Sequence, residues 1–242
     1  MIRIVDADGV RTITLDRPEK RNALTSDMLS ELGRAFASAA GVRACVLLGA
    51  GPVFCSGFDL KEQMADEKLS ALRAQLTQLA ATIKAMRAAA CPVVVGVQGA
   101  AIAGGCALLG GAAAVIADRG AKLGYPVVRL GISPAVTAPF LRLRVGDGAA
   151  RALLLDPGLI GAERALAIGL VDALVDDARH VHEAAQHCAM RLASKPRGAM
   201  DACGTWLSAL APARIADRAL QVSLDAIGDE TVDRLKREIW SR

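Results

Sequence analysis

Aromatic residues are scarce in this chain: Tyr125 is its one tyrosine, and Phe, Trp and Tyr together make up 3% of 242 residues. Hydrophobic residues nevertheless reach 53%, so the core has to be assembled from Ala, Val, Leu and Ile packed closely through 23 glycines. That length suits one large domain, or one domain with a small appendage. No C-x-x-C pair occurs among the six cysteines at 45, 55, 91, 106, 188 and 203. This excludes a zinc ribbon or a disulfide framework and leaves small buried hydrophobes in a reducing compartment. P-loop, H-E-x-x-H and G-x-S-x-G motifs are also missing. No run of five like charges is present and the net charge is only +4, which leaves no nucleic-acid arm or charged tail. Nor does the N-terminus, with Asp6 and Asp8, set a basic stretch before an apolar one, so a cytoplasmic location is expected.

One long segment does lack charge. Residues 92–117 would be long enough to span a bilayer, but they contain six Gly and Gln98, and the pattern changes from Val93-Val94-Val95 to Ala100-Ala101-Ile102-Ala103-Gly104-Gly105. A buried strand, turn and helix fit better, and no membrane partner is expected. Elsewhere, residues 2–5 and 11–16 read as a hairpin about Asp8-Gly9, and Thr25 or Ser26 caps a helix running to about residue 40. Residues 42–49 form an apolar strand, and a loop at 50–60 follows it. Residues 66–89 have helical periodicity through Leu69, Leu72, Leu76, Leu79 and Ile83, ended by Cys91-Pro92. Strands at 93–97 and 113–117 flank a short helix at 104–110, an alternation that indicates an α/β fold with a covered sheet. Beyond Pro134 the chain turns mainly helical, with a late strand at 171–175. A boundary near Lys195-Pro196 divides a core, residues 1–195, from a helical region, residues 196–242. Its stretches 196–210 and 215–240 carry apolar faces suited to docking or oligomer contact.

Two glycine-bearing segments stand out for chemistry. Phe54-Cys55-Ser56-Gly57-Phe58-Asp59-Leu60 bends sharply after a strand, and Gln98-Gly99-Ala100-Ala101-Ile102-Ala103-Gly104-Gly105-Cys106 leads from a strand into a helix start. Either alone is a tight turn. As a pair they offer two converging backbone amides, which is what an enolate or tetrahedral oxyanion needs. The first resembles the pattern F-x-[AS]-G-x-D-[LI] of the crotonase-type acyl-CoA enzymes, and the second resembles their [NQ]-G-x-A-x-[GA]-G-G-C. Arg17-Pro18-Glu19-Lys20-Arg21-Asn22-Ala23-Leu24 and Ala165-Leu166-Ala167-Ile168-Gly169-Leu170-Val171-Asp172 extend the likeness over most of the chain.

The resemblance implies a crotonase-like spiral of ββα turns with a C-terminal helical oligomerisation region, forming a homotrimer or dimer of trimers. It implies an acyl-CoA thioester as partner, coenzyme A being part of the substrate and no other cofactor or metal being required. The Phe58 and Gly104 amides would form the oxyanion hole. Arg21, Ala23 and Lys61 would lie near coenzyme A, and Ser56, Gly57, Asp59, Leu60, Ala101, Val127 and Leu130 would line the substrate. Apart from the resemblance, Asp59 reads as a carboxylate holding its loop, and Lys20 and Lys61 as solvated charges.

Hydratases of this family carry one Glu just after Gly-Gly-Cys and another in a G-x-P-E segment, one to position water and one to move a proton. This chain has Ala107 and Val127 there, the latter in Leu123-Gly124-Tyr125-Pro126-Val127. Tyr125 and Arg129 are the remaining polar groups nearby. The three histidines (180, 182, 187) fall in one helical stretch far from both glycine segments. Two alternatives follow: a protein that binds acyl-CoA without turning it over, and a nicotinamide-dependent dehydrogenase. The second rests on Gly146-Asp147-Gly148-Ala149-Ala150-Arg151, which nearly spells a dinucleotide fingerprint but ends on Arg151 rather than a small residue.

Overall fold

The computed structural model describes residues 1–39, 41–59, 69–210 and 213–240. Strands β1 (Ile2–Ala7) and β2 (Val10–Leu15) form the expected hairpin, with Asp8 and Gly9 both at positive φ. Thr25 caps α1 (Ser26–Ala37), its hydroxyl accepting from the Met28 amide at 3.2 Å. β3 (Ala44–Gly49), α2 (Ser70–Ala88), β4 (Val93–Val97), β5 (Ala100–Ile102), α3 (Gly104–Leu108) and β6 (Ala114–Asp118) follow. The uncharged stretch is thus broken into strands and a short helix, and among the described residues no helix is long and apolar enough to cross a membrane.

β1, β2, β3, β4, β6 and β9 (Ala173–Val175) lie in that order in one sheet, parallel beyond the β1–β2 hairpin. β3 is buried at every position because both of its faces are covered. Cys45 and Leu47 face the main core, where α1 supplies Met28, Leu29, Leu32 and Phe36 and α2 supplies Leu72, Leu76, Leu79 and Ile83. Ala44, Val46 and Leu48 face the alanine stripe Ala185, Ala189 and Ala193 of α6 (Val181–Ala193). This close packing explains Gly96 in β4: a Cβ there would sit 2.7 Å from Leu48 and 3.0 Å from Val181.

A second sheet was not legible in the sequence. β5, β7 (Lys122–Gly124) and β8 (Ile160–Gly161) are two or three residues each, too short for any alternation to develop. α4 (Ala138–Leu155) is two helices joined at Gly146, whose φ of 76° breaks the ladder. Leu141 to Val145 are therefore helical where a dinucleotide fingerprint needs a strand, and the dehydrogenase reading falls. α5 (Ala162–Ala167) ends at Gly169 in the left-handed region and leads to β9.

The C-terminal region also departs from expectation. Residues 215–240 are two helices, α8 (Ala213–Asp225) and α9 (Asp229–Trp240), and both pack on their own chain. Ser223 Oγ donates to Ser133 O at 2.9 Å and accepts from Val136 N at 2.8 Å, while Thr231 Oγ1 donates to Gly131 O at 2.9 Å. By contrast α7 (Arg197–Ala209) buries none of its residues and leaves Trp206 and Leu207 exposed.

Candidate functional site

Four segments distant in sequence are stitched together by backbone hydrogen bonds. Leu24 N donates to Gly57 O at 2.7 Å, and Asp59 N donates to Leu24 O at 3.1 Å. Phe54 N donates to Gln98 O at 2.8 Å and Ile102 N to Cys55 O at 3.0 Å, so the two glycine segments run side by side. Ala103 N then donates to Gly124 O at 2.8 Å, which brings in the fourth segment.

Side chains lock this arrangement. Asn22 is fully buried at a φ of 53°; its amide donates to Ala50 O and Val53 O, both at 2.8 Å, and its carbonyl accepts from Arg17 N at 2.9 Å. Arg17 is 8% exposed, donates to Ala23 O at 2.7 Å and pairs with Asp59 at 3.1 Å. Asp59 thus holds its loop, as the sequence suggested, but through a guanidinium. Glycine is required where backbones meet: a Cβ at Gly99 would lie 2.2 Å from Pro52 O, and one at Gly105 2.6 Å from Cys55 Cβ.

Where β5 passes into α3, Ala103 adopts a φ of 51° and a ψ of −113°, a strained conformation for a residue with a side chain. The turn leaves Gly104 N at the helix start. Among the described residues neither Phe58 nor Gly104 donates a backbone hydrogen bond. The Phe58 ring edge lies 3.0 Å from where a Gly104 Cβ would stand.

These residues border a cleft of about 580 Å³. Of the sequence candidates, Arg21, Ala23, Ser56, Phe58, Asp59, Gly104, Tyr125, Val127, Arg129 and Leu130 line it. Ala101 does not: it is fully buried between Cys55 and Leu123. Gly57 stays behind the wall, hydrogen-bonded to Leu24. Leu60 and Lys61 lie outside the described residues. Ala107 and Val127, both apolar, line the same cleft. The walls are largely hydrophobic, with Leu76, Leu79, Ile102, Ile132 and Val136, while Glu19, Lys20 and Arg21 bring charge to the border.

Burial sets the proton chemistry. It is the main cause that pushes the Cys55 and Cys106 thiols up to about 12 and the Tyr125 phenol well above 10, so all three are neutral at pH 7. The histidines are remote: His187 is exposed, and His182 Nε2 lies 3.0 Å from Gly49 O. No cluster suited to a metal ion occurs among the described residues. Among the cleft residues that sequence reasoning missed are the polar Ser133, Thr137 and Glu238. Glu238 had a signal, because Thr231 and Leu235 on the same face of α9 are buried, and a carboxylate seven residues along from the first faces inward with them. The fourth motif is structural: Asp172 accepts from Val115 N at 2.7 Å and from the Arg144 guanidinium, fixing β9 beside β6.

A mostly parallel α/β core with a C-terminal helical region is the crotonase-type fold. The chain belongs to the enoyl-CoA hydratase/isomerase family, whose model matches residues 6–225. It is similar to the "Probable enoyl-CoA hydratase" of Rhodobacter capsulatus, with 36% identity over 201 residues, 81% of this chain and 76% of that protein. To the 2,3-dehydroadipyl-CoA hydratase of Escherichia coli it is 32% identical over 166 residues, 67% and 64% of the two chains. The crystal structure of an enoyl-CoA hydratase/isomerase from Xanthobacter autotrophicus superposes with a TM-score of 0.87 at 29% identity, covering 97% and 91%. That of an enoyl-CoA hydratase from Bacillus halodurans gives 0.88 at 22%, covering 98% and 99%, a likeness of fold.

Proposed function

We propose that the chain binds an acyl-CoA thioester in this cleft and stabilises its enolate oxygen with the Phe58 and Gly104 amides, without the two hydratase glutamates. The observation that carries this reading is that both amides belong to residues bordering one apolar cleft and neither donates to a backbone carbonyl among the described residues. Two fixed donors in a site of low polarity stabilise developing oxyanion charge without reorganisation. Arg21 and Lys20 at the border suit the nucleotide phosphates of coenzyme A, which enters with the substrate and not as a resident cofactor.

Ala107 and Val127 replace the groups that would order water or carry a proton, so the reaction has to supply its own enolate. Decarboxylation of a carboxyacyl thioester does so: the bond to the departing carbon dioxide breaks, its electron pair becomes the enolate, and the carbon is then protonated from solvent. Arg129 at the cleft border would orient the substrate, and an Arg129→Ala variant with full turnover would remove it from that role. Trp206, Leu207 and Leu210, exposed on and just after α7, support assembly into trimers.

A second reading, a protein that binds acyl-CoA without converting it, is favoured by the same apolar pair. Mass-spectrometric turnover of enoyl-, malonyl- and acyl-CoA thioesters separates the two, run with an Ala107→Glu/Val127→Glu variant. Conversion of any member establishes catalysis and its product names the reaction. Binding without conversion, together with hydration gained by the double variant, establishes the binding role. No binding of any member refutes both.

A further inference from the structure

A second cavity, of about 690 Å³, shares no lining residue with the cleft. It opens where α7 meets the ends of α2 and α6, and Cys91 stands on its wall, 8% exposed. Cys45 on β3 is fully buried next to it, the two sulfurs 3.5 Å apart. Backbone pairing fixes the contact: Cys45 N donates to Pro92 O at 2.9 Å, and β3 pairs with β4 from Cys45 and Val93 onward. Of the two sulfurs, that of Cys91, the less buried residue, is the one better placed to carry charge. The Cys45 thiol donates to it and the Arg11 charge favours it, which together hold the Cys91 thiol below its usual range against burial and Asp201. Arg43, Arg191, Lys195 and Arg197 line the same cavity, with Asp201 its one carboxylate among the described residues. Cys55 and Cys106 differ in every respect: both are fully buried, border neither cavity, and are pushed up to about 12 by burial.

We infer that Cys91 and Cys45 form a peroxide-reactive dithiol, in which Cys91 at the second cavity is attacked first and Cys45 closes the disulfide. The Cys91 thiolate attacks one oxygen of hydrogen peroxide, the O–O bond breaks, and the departing hydroxide takes up the thiol proton as water, leaving a sulfenic acid. The Cys45 sulfur then attacks the Cys91 sulfur, its proton goes to the leaving hydroxyl, and a second water departs. Two thiols and one peroxide thus give one disulfide and two waters. A thiol reductant reverses the bond by exchange. Hydrogen peroxide is small enough to reach a sulfur that a bulky thiol label does not. The site lies outside the acyl-CoA cleft and does not depend on that reading.

The test treats the folded full chain with hydrogen peroxide, stops the reaction with acid, and maps the denatured, alkylated protein by mass spectrometry. A peptide pair linked through Cys45 and Cys91 should appear and disappear again with dithiothreitol, and the thiols of Cys45 and Cys91 should be lost more than about tenfold faster than those of Cys55 and Cys106. Cys45→Ser removes the resolving thiol, so Cys91 should accumulate as a sulfenic acid that dimedone traps. Cys91→Ser should leave Cys45 reduced. If either variant fails to fold, the map of the natural protein decides alone. Cys45 and Cys91 both remaining reduced at a dose that oxidises the exposed Cys203 overturns the inference. So does loss of Cys55 and Cys106 at the same rate, which would mean that the chain unfolds before it is oxidised. A link from Cys91 to Cys188 or Cys203 in place of Cys45 also overturns it, as does oxidation of Cys45 in folded Cys91→Ser.

Discussion

Asp59→Asn tests whether the Arg17 clamp holds the cleft together. The carboxylate and guanidinium are 3.1 Å apart, with side chains only 16% and 10% exposed. The substitution keeps the shape and removes the charge, leaving Arg17 with Ala23 O and an Nε that has no acceptor among the described residues. Stripping one partner from a buried pair costs about 3–5 kcal/mol, and the residual exposure argues for the lower end, about 3 kcal/mol. For a chain of this length each kcal/mol lowers the melting temperature by about 2–4 °C, so a fall of about 6–12 °C is expected. Urea denaturation followed by circular dichroism gives the free energy directly. The control is Glu31→Gln, whose exposed pair with the N-terminal amine should matter by less than about 0.5 kcal/mol. Asp59 N also holds Leu24 O, and Phe58 is its neighbour, so acyl-CoA affinity should fall with stability. If Asp59→Asn unfolds within about 0.5 kcal/mol of the natural protein, the clamp is no more than a surface ion pair and the argument for it fails.

Other perturbations reach different parts of the molecule. Gly105→Ala drives a methyl group to 2.6 Å from Cys55 Cβ and 2.8 Å from its carbonyl oxygen, so the two glycine segments should separate. Overpacking of this kind costs about 1–3 kcal/mol, and calorimetry should also show acyl-CoA affinity lost. Gly33→Ala in α1 meets nothing nearer than Thr82 Oγ1 at 3.8 Å, so its helix propensity should raise stability by about 0.8–1 kcal/mol in thermal unfolding. Cys55 and Cys106 ionise near 9.0 when unfolded and at about 12 when folded. Below pH 9 both states keep the protons and these thiols add no pH dependence. From there to pH 12 only the unfolded state loses them, so stability should fall by about 1.4 kcal/mol per pH unit for each thiol. Urea midpoints that stay flat over that window would refute this. Native thiol titration should label Cys203 fast and Cys188 slowly, and spare the four buried cysteines.

The sheet and the helices around it were readable because their signals are long. β3 and β4 are unbroken apolar runs, and α1 and α2 repeat their apolar residues over several turns. β5, β7 and β8 have no such length, and they exist because neighbouring backbone needs partners: Lys122 N donates to Gly99 O, and Ala103 N to Gly124 O. The cleft was legible where a glycine marks a backbone constraint, at Gly99, Gly104 and Gly105. Asn22 and Arg17 lay inside a quoted motif, yet nothing in their spacing tells which distant carbonyls they serve.

The apolar residues at 107 and 127 enter the proposed function through that same convergence. Had only one of them lined the cleft, loss of a glutamate there could be a shift of the catalytic group to a neighbouring turn. Ala107 is held on α3, three residues beyond Gly104, and Val127 on the 3-10 turn Pro126–Leu130, and both border the cleft. Ala107 is also 1% exposed and packed in the core. A glutamate at 107 therefore has to find space and a proton partner inside a closed wall, whereas one at 127, half-buried, has room beside Arg129. Restoring position 127 alone should thus be tolerated, with a loss below about 1 kcal/mol as for an ordinary partly exposed site, and Ala107→Glu alone should cost about 3 kcal/mol or more from overpacking and a buried charge. Equal losses at the two positions, measured by urea denaturation, would mean that they share one environment and that the cleft is open at both ends.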